Sequence, residues 1–292
     1  MMRRHPVVLF LLLTFVLSLP FYLLLNLSSA NAEGRRLYVT GLMWGPALAA
    51  LAACVLARVP LASLGWRWPG GRAAWLGYLL PIGYGLFAYA IIWATGMGKL
   101  STEIYLPYAR RVIGLPEAPD AAIIAMMLVL QLSMGFVLNV ATGLGEEIGW
   151  RGFLGPRLVR RFGFGAGVLF TGLIWAAWHY PVLFWLNFPG EPPRPFAMAC
   201  FTIMVTGLSY VYAWLRETTG SVWTAAILHG SHNAVISLVF TLLTVETGPI
   251  TAYAVDEFGF MLAITSVLMA GWCGWHRART TAPPATVADA AS

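Results

Sequence analysis

VVLFLLLTFVLSLPFYLLLNL, residues 7–27, is a run of 21 residues with no charged side chain. A helix crossing a hydrocarbon core of about 30 Å needs about 20 such residues, whereas a membrane strand needs about 9–11. The run is also longer than the roughly 7–15 residues of a secretory-signal apolar region. Arg3 and Arg4 precede it, and Ala30-Asn31-Ala32 resembles a signal-peptidase site. Its length nevertheless reads as a retained first transmembrane helix.

Further apolar stretches follow at 37–58, 75–96, 121–143, 164–186, 196–215, 221–243 and 258–275. Together with 6–27 they predict an all-α fold, a polytopic membrane helix bundle of about eight transmembrane helices. Connections are punctuated by Trp68-Pro69-Gly70-Gly71, by Leu115 to Asp120 and by Pro189 to Pro195. Asp120 is a candidate N-cap for the fourth helix. Residues 1–276 read as a single bundle and 277–292, rich in Ala, Thr and Pro, as a disordered tail.

Composition points the same way. Hydrophobic residues make up 59% of the 292 positions and charged residues only 10%, against roughly 25% in soluble domains. So few charges cannot cover a water-exposed surface of this size, and lipid must solvate much of it. The net charge of +6 comes from basic residues scattered over short connections, which argues against nucleic acid as a partner. With the N-terminus placed in the cytoplasm, Arg3, Arg4, Arg58, Arg67, Arg72, Arg151, Arg157, Arg160, Arg161, Arg216, Arg277 and Arg279 fall on that side. Arg35, Arg36, Lys99, Arg110, Arg111 and Arg194 fall on the other. This bias predicts N-in and C-in. Cys54, Cys200 and Cys273 are odd in number and far apart, so they read as small buried side chains rather than a disulfide framework.

The polar residues inside this apolar frame carry the chemistry. Of the 12 acidic residues, ten lie in connections or tails, and the exceptions, Glu146 and Glu147, follow directly on the fourth stretch. Carboxylates at a bilayer boundary are costly unless paired or functional. Glu147 and Arg151 are four apart and can pair on one helical face, which leaves Glu146 pointing elsewhere as a candidate acid or base. The plainer alternative is a solvated helix end with an ordinary ion pair. His179 lies late in the fifth stretch, and His229, His232 and Asn233 lie in the seventh. His229 and Asn233 share a face. A single such histidine more often joins two helices by a hydrogen bond, the role expected for His232. Polar groups from three helices that converge would form a hydrolytic or metal-binding set.

The series Glu146-Glu147-x-x-x-Arg151, Trp175-x-x-x-His179 and His229-x-x-x-Asn233 resembles the motifs of the CPBP family of intramembrane proteases, the CAAX-protease and bacteriocin-processing or Abi family. The motif-bearing core covers about 121–243. That family usually has Phe where this chain has Trp175, another large aromatic able to wall a cavity. The resemblance implies an intramembrane endopeptidase acting on a membrane-associated protein or peptide in the lipid bilayer; the Ala-, Trp- and Arg-rich composition points to a bacterial inner membrane. It implies that Glu146 and His179 activate water, that His229 and Asn233 stabilise the oxyanion, and that Glu147, Arg151 and Trp175 support them. Glu146, His179 and His229 are also the set that could hold zinc, although no HExxH is present. The alternatives are a proton-coupled transporter and a non-catalytic membrane partner such as a bacteriocin-immunity protein.

Overall fold

The computed structural model describes residues 5–27, 32–185 and 192–281. Ala30-Asn31, the first part of the Pro189–Pro195 connection and residues 282–292 lie outside them. Apart from its connecting loops, the described chain is helical, with one short antiparallel ladder pairing Lys99 with Val245 and Leu100 with Thr244. The helices are α1 (Pro6–Leu27), α2 (Ala32–Ala57), α3 (Gly71–Ala94), α4 (Tyr105–Ile113), α5 (Asp120–Leu130), α6 (Phe136–Glu147), α7 (Gly155–Trp185), α8 (Arg194–Thr219), α9 (Val222–Val235), α10 (Ile250–Ala254) and α11 (Phe260–Thr281). π-helical turns over Gln131–Gly135 and Ile148–Leu154 join α5, α6 and α7, and a third extends α9 over Ile236–Phe240.

Each apolar stretch read from the sequence falls on a helix. Among the described residues, five helical segments are long and apolar enough to cross a membrane, one of them running from Asp120 to Phe184 over 65 residues. A straight helix of that length would measure roughly three times the hydrocarbon thickness. The chain instead reverses at Gly163, whose φ of 79° and ψ of 168° are open to glycine alone. Gly167 then lies against the backbone of Leu158 and Val159, residues that an uninterrupted helix would hold two turns away.

Two details depart from expectation. Pro119, not Asp120, occupies the N-cap of α5. Asp120 is the first residue inside the helix, and its carboxylate is taken by Arg110. In addition, α11 continues to Thr281, five residues into the segment expected to be a disordered tail.

The molecule is apolar outside and polar at its centre. Leu12, Val16 and Leu19 on α1, Val137 and Leu138 on α6, and Val267 and Leu268 on α11 are exposed, while Glu146, Glu147, Arg151, His229 and His232 are buried. This is the arrangement of a bundle solvated by lipid, with ionisable groups turned inward. The three cysteines are free and buried. A continuous hydrophobic core links α1, α2, α3, α7, α8, α9 and α11.

The helices that carry the polar groups meet closely. A Cβ on Gly230 of α9 would stand 2.5 Å from the backbone nitrogen of Val140 on α6, so only glycine permits this approach. Gly230→Ala should force α9 from α6, destabilise the fold by about 1–3 kcal/mol and displace the adjacent His229. An unchanged melting temperature in the purified variant would contradict this packing.

Candidate active site

The site begins at the end of α6. Glu146 and Glu147 are its last two residues, and the π-helical turn Ile148–Leu154 that follows is buried throughout. Such turns widen the helix and recur at functional sites. Glu146 is 2% exposed, Glu147 0% and Arg151 2%. The solvated-helix-end alternative is thereby excluded. The ion pair suggested by the spacing forms, with Arg151 Nη1 donating to Glu147 Oε1 at 3.1 Å.

This pair is embedded in more than its own helix. Glu147 Oε1 also accepts from His229 Nδ1 at 2.9 Å, so one carboxylate oxygen joins α6 to α9. Arg151 Nη2 donates to Ser209 Oγ at 2.9 Å. Its guanidinium lies 4.0 Å from the ring centroid of Trp175 and 4.2 Å from that of Tyr212. Cation–π contact with two aromatic rings suits arginine better than lysine. Ser209 and Tyr212 come from α8, whose sequence carries no motif to mark them.

Beside this network lies a cavity of about 380 Å³, lined by Glu146, Trp175, His179, His229, His232, Asn233 and Glu257 among apolar residues from α1, α2 and α8. The three motif-bearing helices thus converge. Glu146 is less free than its spacing suggests, because the Trp175 indole Nε1 donates to its Oε2 at 2.6 Å. A buried indole N–H needs an acceptor, so Trp175 is a hydrogen-bond partner as well as a wall. Its ring centroid lies 5.9 Å from that of His179 and 5.8 Å from that of His229.

Hydrogen bonds assign the imidazole protons. His179 Nδ1 lies 2.9 Å from the Trp175 carbonyl oxygen, which can only accept. Nδ1 therefore carries hydrogen, and in the neutral ring Nε2 is left as an acceptor. The same reasoning puts a proton on His229 Nδ1, which faces the Glu147 carboxylate.

His232 makes the helix-to-helix bond expected of it, with Nδ1 2.6 Å from Tyr84 Oη on α3. Its Nε2 meets Glu257 Oε1 at 3.0 Å. The loop between α10 and α11 thus brings Glu257 to the cavity, with Asp256 beside it, two acids that read in the sequence as ordinary connection residues. Burial pushes the Glu257 carboxyl up, but the hydrogen bond from His232 and the imidazoles of His232, His179 and His229 together hold it below its ordinary value.

Asp256 shows the reverse. Burial and the neighbouring Glu257 carboxylate push its carboxyl up to about 6, so the folded protein binds this proton more tightly than the unfolded chain. The stability that comes with it is fully present below about pH 4, the unfolded pKa, and is lost as pH rises through about 6. Asp256→Asn keeps the acceptor used by Ser237 Oγ and Glu257 N and suits the positive φ of 59°. It should raise the melting temperature by about 2–4 °C at pH 8, the effect of about 1 kcal/mol, and by clearly less at pH 4.5. Equal shifts at both pH values would refute the assignment.

The zinc alternative gains no support from this arrangement. Among the described residues, no group of three His, Cys, Asp or Glu side chains is placed to hold a metal ion. No step proposed for this site runs through a metal.

Searched against curated proteins, the chain has no match. Residues 128–235 match the family model described as type II CAAX prenyl endopeptidase Rce1-like. The matched segment contains Glu146, Glu147, Arg151, Trp175, His179, His229 and Asn233.

Proposed function

We propose that the chain, whose residues 128–235 match the Rce1-like CAAX endopeptidase model, is an intramembrane protease of the CPBP/CAAX family, and that Glu146 is the base with which it hydrolyses a peptide bond of a membrane-associated substrate. The observation that carries this reading is the position of Glu146, buried against Trp175 on the wall of a cavity that also receives His179, His229 and Asn233.

The chemistry follows from the proton assignments. A water held between Glu146 and the Nε2 acceptor of His179 gives its proton to Glu146 as it attacks the scissile carbonyl. Negative charge develops on the carbonyl oxygen, where donors aimed at it lower the barrier. Asn233 supplies Nδ2–H. His229 donates from Nε2 only as the imidazolium, because Nδ1–H is committed to Glu147. Glu147 holds the His229 ring through Nδ1, and Arg151 holds Glu147 in place. Collapse of the tetrahedral intermediate returns the proton from Glu146 to the leaving amine, which balances the reaction.

In this reading the chain crosses a bacterial inner membrane about eight times with both termini in the cytoplasm, which puts Glu146 toward the cytoplasmic side. A prenylated CAAX tail is the first substrate class to try, since the matching family is described by it. Comparison of membrane-protein termini from cells carrying the wild type and cells carrying Glu146→Ala should reveal peptides that end at new sites only in the wild type. Identical sets of termini would count against an endopeptidase.

A further inference from the structure

The proposed chemistry leaves Glu257 unused, yet the protein builds a support around it. The backbone N–H of Asp256 donates to Tyr89 Oη at 3.1 Å, and Tyr89 Oη lies 2.5 Å from Thr241 Oγ1. Asp256 Oδ1 in turn accepts from Ser237 Oγ and from the Glu257 backbone N–H. This loop is therefore pinned to α3 and to the chain that extends α9. From it Glu257 reaches the cavity wall, where His232, itself held by Tyr84, takes Oε1. The Glu257 side chain keeps 23% exposure there, which leaves its second oxygen open to a ligand.

A peptide entering this cavity passes apolar side chains such as Leu25, Leu42, Met204 and Leu208. Its backbone N–H groups lose water and need acceptors. Burying an additional ammonium among those side chains would be far more costly than burying an amide. Every peptide substrate brings the amide donor.

Resting on the endopeptidase reading, we infer that Glu257 is a substrate-binding residue, which accepts a hydrogen bond from a backbone N–H outside the scissile bond and so sets the register of the peptide against Glu146. His232 and Tyr84 are positioning residues that act through it. Glu257 belongs to none of the three motifs and lies beyond the matched segment, which ends at residue 235.

The test uses full-length protein in detergent and a quenched-fluorescent, S-farnesylated CAAX peptide, together with derivatives methylated at one backbone nitrogen each. In the wild type, methylation at one position outside the scissile bond should raise KM about tenfold and leave kcat within about threefold, the loss of roughly one hydrogen bond. Glu257→Leu should raise KM for the unmethylated peptide by a similar factor and abolish the penalty at that position alone. Glu257→Gln, which retains an acceptor oxygen, should recover most of the loss. Should Glu257→Leu fail to fold, Glu257→Asn, which withdraws the acceptor by one methylene and keeps a polar group in the loop, gives the same reading. If the variants retain the methylation penalty at every position, or lose kcat with KM unchanged, the assignment of Glu257 is overturned while the endopeptidase reading stands. If the wild type cleaves none of the peptides, or no better than Glu146→Ala, the endopeptidase reading falls and this inference falls with it.

Discussion

Arg151→Ala is expected to lower folding stability by about 3–5 kcal/mol, because it leaves a buried carboxylate without its cation. Glu147 is 0% exposed, and its Oε2 has no hydrogen-bond partner among the described residues. Everything that neutralises it passes through Oε1, shared by Arg151 and His229. The variant also removes the cation packed against Trp175 and Tyr212, so both rings lose a packing partner. A fall of about 10 °C in melting temperature and a reduced folded yield are the expected readouts. Arg151→Lys should lie between wild type and Arg151→Ala, since it restores charge but not the guanidinium's contact with both rings or its reach to Ser209. A thermal transition for Arg151→Ala that overlays the wild type would show that the pair does not hold the site together.

Glu146→Ala should lower peptide hydrolysis by about 10³-fold or more at a cost in stability of about 1–3 kcal/mol, that of the acceptor withdrawn from the Trp175 indole, smaller than that of Arg151→Ala. The two glutamates are neighbours in sequence but differ in what depends on them. Glu146 accepts one hydrogen bond, from the Trp175 indole, and borders a cavity into which its neighbours can relax. Glu147 ties α6 to α9 and neutralises a buried guanidinium. Loss of activity with retained fold at position 146, set against loss of both on breaking the pair at Arg151, is the pattern that separates a reacting group from a supporting one.

How much of this was legible in the sequence depends on the range of each interaction. The apolar stretches declare themselves because each is long and nearly free of charge, and all fall on helices. The Glu147–Arg151 pair is a local contact set by helical spacing, so it too could be read directly. The bond from Glu147 to His229 spans 82 positions and exists because Gly143 and Gly230 let α6 and α9 touch, which no local pattern reveals. α4 escaped notice because Tyr105–Ile113 has nine residues and two arginines in its last turn, too short and too polar for a span. Glu257 is the most instructive omission. Placed between α10 and α11 it looks like a solvated connection residue, and only the folding of that loop onto Tyr89, Ser237 and His232 turns it toward the cavity. The adjacent acids Asp256 and Glu257, set between apolar and aromatic residues in Tyr253-Ala254-Val255 and Phe258-Gly259-Phe260, were the one available hint.

The central claim is hydrolysis by water that Glu146 activates. Its most direct test is mass spectrometry of the products formed when purified protein in lipid nanodiscs meets the S-farnesylated CAAX peptide in ¹⁸O-enriched water. The account predicts internal cleavage with one ¹⁸O atom in the newly formed carboxylate, and no such product from a folded Glu146→Ala variant. The same labelled product at the same rate from Glu146→Ala, or no cleavage by the wild type, would contradict it.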